Sequence, residues 1–588
     1  MNFKYFWGIS ILLLFLACKS NSDEGGLYQE KEGKVIYRGT LGENVTSHIL
    51  KDPTSMHPLI SAESYISEMA LYSYERLTTL DPKTSENTPI LAEALPEVSE
   101  DGLRFTYEIR DAAKWPDGAP ITAADFVFSA KATMFPLANT ANKRAFLSTL
   151  QDVQLYPDNP RKLTIICSEA YHYNPYFGAI IFILDRRFYD PNDALGAYSL
   201  AELVENETLQ KDEALIAWAD EFNDPKYGTD PKNLQNGSGP YHLIEWIQGE
   251  RLVYTPNENY WGKDLEKITS QQYPPQITFR IIPDDQALIE SIRQQSVDVS
   301  CKLVPDVYQV LKADSQVNQH YKVKRTGRGT VSMIGLNNQP DGVTHPKLFD
   351  DKRVRRAFLL GVDWDDLLFK RLELDGKRVA GPISENNPYF DATLPIATYN
   401  PDSARYYLKE AGWEDTDGDG ILDKEVDGVR IPFAFNFLYR TTNVLEADMV
   451  REIANDLKTY GIEATPDNSG FKISSIVSGQ YDAVLIPLIV PSLPYPFEGV
   501  YRSTSSFNLF GYANERADEL IDKVSSNTNP EEARADAITL QKILIDDQPA
   551  IFLFNPARKM IAHKRYSNLS FYIEAPYIFL NSLEVVKE

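Results

Sequence analysis

Residues 114–130 read KWPDGAPITAADFVFSA. Just upstream, in LRFTYEIR (103–110), Leu103, Phe105, Tyr107 and Ile109 alternate with Arg104, Thr106, Glu108 and Arg110. That period of two marks a half-buried strand. Pro116-Asp117-Gly118 then ends it, with Pro116 fixing φ and Gly118 free to take φ > 0. Thr122 is placed to cap a helix, and Asp125, three residues on, to reach back and complete a capping box. The unit is strand, tight turn, capped helix. It carries no reactive side-chain set, so its meaning comes from the rest of the chain.

At 588 residues the chain exceeds a single ordinary core, and two or three domains are expected. Hydrophobic residues at 43% and aromatics at 12% describe a globular protein. A net charge of −25 argues against nucleic acid or an anionic membrane surface as partner. The N-terminal run MNFKYFWGISILLLFLAC has Lys4 ahead of an apolar stretch, 6–17, too short for a permanent membrane span. It resembles a bacterial lipoprotein signal, which implies cleavage after residue 17 and acylation of Cys18. Phe15, three positions before the cysteine, fits that pattern loosely. Residues 19–34 read as a solvated tether, and Ser22-Asp23-Glu24 within it could direct export to the surface. No later stretch is long and apolar enough to cross a membrane, so only the lipid would hold the protein to one. Cys167 and Cys301 remain for the folded part, either as one bridge or as two buried thiols.

Alternating strands (KVIYRGT, YHLIEW, RLVYTP, ITFRII, TVSMIGLN, IPFAFNF) intersperse with amphipathic helices, which points to α/β or α+β domains. Helices are expected in VRRAFLLGVDWDDLLFKRL, in NPDSARYYLKEAGW with Asn400 as N-cap and Gly412 as stop, and in VLEADMVREIANDLKTYGI. In EDTDGDGILDKE, Asp415, Asp417, Asp419 and Asp423 fall at positions 1, 3, 5 and 9 of a calcium-loop spacing. Position 12 is Val426, with Glu425 and Asp427 beside it, so a weak calcium site competes with a solvated hairpin. There is no GxSxG, HExxH or CxxC, and the seven histidines show no i, i+4 pair. Gly327-Arg328-Gly329 lacks the third glycine of a dinucleotide loop. Neither an enzyme nor a cofactor is implied.

Several long motifs occur in a particular order: KWPDGAPITAADFVFSA; GSGPYHLIEW (237–246) with NENYWGK (257–263); GLNN (335–338) running into PKLFDDKRVRRAFLLGVDWDDL; YNPDSARYYLKEAGWEDTDGDGILD (399–423) with LKTYGIEAT; FNLFGYANERADELID (507–522); and LQKILIDDQPAIFLF (540–554). Together they resemble the family 5 solute-binding proteins of ABC importers, the oligopeptide-, dipeptide- and nickel-binding type, over residues 35–588. The resemblance implies an α/β, two-lobed periplasmic-binding-protein fold with an extra third domain, mixed sheets with flanking helices, and a hinged cleft. By analogy lobe I combines 35–70, 196–288 and 540–588, the extra domain is 71–195, and lobe II is 289–539. The lobe crossings would lie near 284–290 and 535–545.

The resemblance also implies ligand contacts. In peptide-binding relatives an extended ligand pairs with strand edges, and an acid in a motif like Asp-Tyr-x-x-Pro holds its α-amino group. Here PLIVPSLPYPFEGVY (487–501) places Ser492 at the acidic position and Pro496 at the proline, and Glu498 is the nearby substitute. His57, Asn337 and Asn338 are further candidates, with Tyr495, Phe497 and Tyr501 as aromatic faces and Asn508 completing the set. The expected protein is a monomeric, lipid-anchored envelope protein on the periplasmic side, delivering a solute, by family a peptide, to an ABC permease in the inner membrane. The alternatives are an envelope lipoprotein that has kept the fold without transport, and a binder of oligosaccharide or nickel.

Overall fold

The computed structural model describes residues 26–588 except 62, 63, 427, 441–443 and 470, and omits the side chains of 64–67 and 145. The proposed signal, Cys18, residues 19–25 of the tether and Asp427 lie outside the described residues.

The decisive stretch folds as its residues dictate. Arg104–Glu108 is a strand, Gly118 sits at φ +88°, and Ala123–Met134 is a helix. The Thr122 N–H donates to Asp125 Oδ2 at 2.8 Å, closing the capping box. The helix has two apolar faces. Phe126, Ala130 and Met134, spaced i, i+4, i+8, enter a core with Trp115, Phe105 and Tyr107 against a four-stranded sheet. Phe128 and Ala132, continued by Phe135, enter a second core with Tyr189, Trp218 and Tyr241. The motif is therefore a corner that fastens the extra domain to lobe I.

A twelve-stranded sheet runs through both lobes. Ten of its strands follow the order Tyr241–Ile247, Arg251–Pro256, Ile277–Ile281, Val45–Ile49, Val299–Ser300, Ala550–His563, Thr330–Leu336, Ala483–Ile489, Ala434–Leu438 and Glu463–Asp467, and Tyr321–Gly327 and Gly376–Arg378 pair off this path with Ala550–His563. Ala550–His563, the return strand, serves both lobes. Its latter part pairs antiparallel with the outgoing strand Tyr321–Gly327, and its first part with the floor strand Thr330–Leu336. The chain thus leaves lobe I between 327 and 330 and returns between 554 and 557.

This moves the expected crossings. Asp284 caps a helix and Asn529-Pro530 starts another, but both helices stay inside a lobe. Leu288, Ile292 and Leu311 pack with Ile561 in lobe I, whereas Ala537 and Leu544 pack with Phe552 in lobe II. Residues 289–327 therefore join lobe I and 540–553 join lobe II. A helix start is a local capping event, whereas a crossing lies where a strand changes partners, which no local pattern records.

The tether is shorter than expected. Tyr28–Lys31 and Lys34–Tyr37 pair as a hairpin, with the Tyr28 and Tyr37 rings stacked at 5.7 Å. Tyr28 Oη bonds His320 Nδ1 at 2.8 Å, and the Tyr37 N–H donates to the Val586 carbonyl, so the hairpin is docked on lobe I. In the 354–372 run the helix Lys352–Gly361 ends before Asp363, whose Oδ1 accepts from the Asp366 N–H at 3.0 Å at the start of a separate π-helical turn, Asp366–Arg371. Both cysteines are free, Cys167 buried and Cys301 half-buried, which settles against a bridge.

Candidate functional site

The edge strand Ala483–Ile489 lies antiparallel on the whole length of the floor strand. Its other neighbour, Ala434–Leu438, meets it only at Ala483 and Val484. From Leu485 onward the outer edge has no strand partner among the described residues, and Ile489 at its end is 79% exposed. Beyond it the Val490 N–H donates to the Gly329 carbonyl at 3.0 Å, and Asn387 Nδ2 donates to the Pro491 and Leu493 carbonyls. Those bonds fix the path of the chain into Ser492.

Ser492 cannot itself hold an ammonium by charge, but its hydroxyl donates to Glu574 Oε1 at 2.7 Å. Asn386 Nδ2 donates to the same oxygen at 2.8 Å and also to the Val490 carbonyl. Glu574 comes from the C-terminal segment, whose Tyr566, Ile578 and Leu580 lie in the lobe I core. Its second oxygen accepts no hydrogen bond among the described residues. A carboxylate from lobe I thus stands where the strand motif of lobe II lacks one.

Glu498 is differently employed. Its Oε1 accepts from the Tyr171 hydroxyl at 2.7 Å and its Oε2 from the Ser525 hydroxyl at 3.0 Å. His172 Nε2 lies 4.0 Å from it, and burial lowers the His172 pKa. With the Tyr173 hydroxyl on the Pro494 carbonyl at 3.0 Å and the His172 N–H on the Ser525 carbonyl, this contact clasps the extra domain to lobe II. Both oxygens of Glu498 are committed, so it does not replace the missing acid.

The other expected contacts are framework. His57 is buried between Phe222 and Tyr189, its Nδ1 accepting from the Leu59 and Ile60 N–H groups, and burial pushes its pKa to about 3. Asn337 Nδ2 donates to the Gly479 and Tyr481 carbonyls, and Asn338 Nδ2 to those of Leu336, Phe510 and Pro549. Tyr495, Phe497 and Tyr501 are in the lobe II core, and Asn508 closes a turn onto Tyr512. Each is held by the strand, turn or short helix it sits on, Phe497 and Tyr501 by the helix Phe497–Tyr501. Glu574 was missed because nothing local marks it. The only signal was the lack of an acid at Ser492.

Of the acidic turn, carboxylate oxygens of Asp415, Asp417 and Asp419 lie within 4.8 Å of one another. Asp423 is not with them. It accepts from Thr416 and from Arg430, whose hydrogen bond first of all holds its carboxyl at about 2. Arg430 also reaches Asp417 at 2.6 Å. The hairpin thus neutralises part of its own charge, and the four-ligand set is reduced to three exposed acids.

The family of bacterial extracellular solute-binding proteins, family 5 (middle region), matches residues 86–509. The oligopeptide-binding protein AppA of Bacillus subtilis (strain 168) is 26% identical over 566 residues, 94% of this chain and 93% of that protein. The solved structure of Bacillus subtilis AppA in complex with a nonapeptide matches with a TM-score of 0.68 at 21% identity, over 92% of this chain and 99% of that one. NikA from Brucella suis, in complex with Fe(III)-EDTA, matches with a TM-score of 0.71 at 20% identity, over 92% and 99%. At such identities the structural likeness shows the fold, and those two proteins hold chemically unlike ligands in it.

Proposed function

We propose that this chain, which belongs to the bacterial extracellular solute-binding proteins of family 5, captures an extended peptide between its lobes and delivers it to an ABC permease. The observation that carries the reading is the open outer edge of Leu485–Ile489 leading to the Ser492–Glu574 pair. A peptide laid along that edge adds a strand, and its backbone bonds give affinity whatever its side chains. Glu574 closes one end, its free oxygen accepting from the ligand's α-ammonium in a charge-assisted bond. The oligopeptide ligand of a relative aligned over nearly the whole chain supports this choice of solute. Family members bind and do not catalyse, and transport energy would come from the permease. We further place the lipid on Cys18, with the monomer held at the membrane on the periplasmic side.

The test is titration calorimetry on residues 18–588 carrying Cys18→Ser, after unfolding and refolding to strip any retained ligand. Tripeptides to pentapeptides with free N-termini are expected to bind at least about tenfold more tightly than their N-acetylated forms. Glu574→Gln is expected to abolish that preference. Equal binding of both forms would remove Glu574 as anchor, and no binding by any peptide would remove the peptide reading.

A further inference from the structure

Beside the carboxylate, the crevice turns basic. The crossing Gly327-Arg328-Gly329 is gripped by Asn555 of the return strand. Its Nδ2 donates to the Thr330 carbonyl at 2.7 Å and to that of Arg328, and its Oδ1 accepts from the Arg328 N–H at 3.4 Å. The flanking glycines are seated against the wall. A Cβ on Gly327 would lie 2.9 Å from Glu385 Oε1, and one on Gly329 2.9 Å from the Val490 carbonyl and 3.2 Å from Glu574 Oε1. The Arg328 backbone is therefore fixed beside the Glu574 carboxylate.

The Arg328 side chain is exposed, and its guanidinium has no hydrogen bond or ion pair among the described residues. Desolvation, followed by the nearby Arg558 and Arg440 cations, nevertheless lowers its pKa. The exposed side chain thus springs from a backbone seated between Glu385 on one side and Val490 and Glu574 on the other. Arg558 lies 3.5 Å over the Tyr577 ring and donates to the Tyr577 hydroxyl at 2.8 Å, while its buried Nε has no acceptor. Arg440 is taken by Glu446, its Nε at 2.8 Å, and Glu68, which senses Arg558, is paired with Lys302 at 2.8 Å. Of three neighbouring guanidiniums, only Arg440 is neutralised by a carboxylate. Like charges gathered in low dielectric repel strongly, and an entering anion relieves that repulsion.

We propose that Arg328, backed by Arg558, seats an anionic group of the ligand, so that the crevice prefers peptides carrying a carboxylate close to the end that Glu574 holds. The ligand class rests on the peptide reading above, and the charge preference rests on Arg328.

The test uses calorimetry on the same Cys18→Ser chain with tripeptides bearing Ala, Asp or Lys at each position, with tri-alanine against its C-terminal amide, and with glutarate. The expected result is a preference of about ten- to a hundredfold for the anionic member of a pair. Arg328→Gln erases that ratio, and Arg328→Lys, which keeps charge but loses the planar fork, retains part of it. Thermal melts of both variants check that they fold. If peptides bind and Arg328→Gln leaves the ratio unchanged, the anionic subsite is overturned and the peptide reading stands. If only glutarate binds, and does so through Arg328, the peptide reading falls and the subsite stands. Binding of neither overturns both.

Discussion

Glu75 shows what burial does to one carboxyl. It is buried where the extra domain meets lobe I, accepting from the Tyr260 hydroxyl and the Trp261 indole N–H, each at 2.7 Å. Desolvation outweighs those bonds and raises its pKa to about 7. An unfolded glutamate titrates near about 4.3. Between the two values the folded state holds the extra proton, so the stability this group contributes is complete below the unfolded pKa and is lost as pH rises through 7. Glu75→Gln, which keeps the shape, is therefore expected to flatten the fall in melting temperature between pH 5 and 8. Calorimetric melts of both proteins check this, and parallel curves would refute it. The difference at the alkaline end should be on the order of 3 kcal/mol. The tryptophan and tyrosine of NENYWGK were legible as a motif, but their partner was not. The same holds for Ser492, where a local motif exposed a gap and a carboxylate 82 residues away filled it.

Among elements, the helix Ala123–Met134 holds two cores at once, so its two faces can be tested separately. Phe126→Ala removes a fully buried ring from the extra-domain core and should cost about 3–5 kcal/mol. Denaturant unfolding is expected to show the extra domain melting ahead of the lobes. A single unchanged transition would mean that the two cores are not separable. Local elements were readable in the sequence because periodicity and capping are properties of adjacent residues: Thr122 and Asp125, Asn400, and the alternating strand at 103–110. Partner exchange along Ala550–His563 was not readable: Asn555-Pro556-Ala557-Arg558-Lys559 interrupts two apolar runs, but a polar break in a strand does not say which strands pair on either side of it. The apolar pattern predicts one helix over 354–372, whereas the chain forms Lys352–Gly361 and a separate π-helical turn, Asp366–Arg371, because the Asp363 carboxylate accepts from the Asp366 N–H inside that pattern.

Across the whole molecule, the clasp of Tyr171 and Ser525 on Glu498 joins the extra domain to lobe II. An opening that parts the extra domain from lobe II must break it. Tyr171→Phe deletes one hydrogen bond to a charged group, worth about 1.5–3 kcal/mol at most. The variant is expected to release peptide roughly tenfold faster and, without ligand, to show a larger radius of gyration in solution scattering. Unchanged release and unchanged scattering would mean that the clasp does not hold the crevice shut. The two-lobed architecture was legible from the ordered motifs, but the clasp was not, since Tyr171 lies 327 positions from Glu498 along the chain.

The docked hairpin Tyr28–Tyr37 has a consequence for reach. With the lipid on Cys18 as proposed, residues 19–27 span at most about 30 Å, where a free stretch to residue 34 would have allowed about 55 Å. A leash that short keeps lobe I close above the bilayer. The search for a permease then becomes a glide in the plane of the membrane, at a local concentration set by the leash and not by the volume of the compartment.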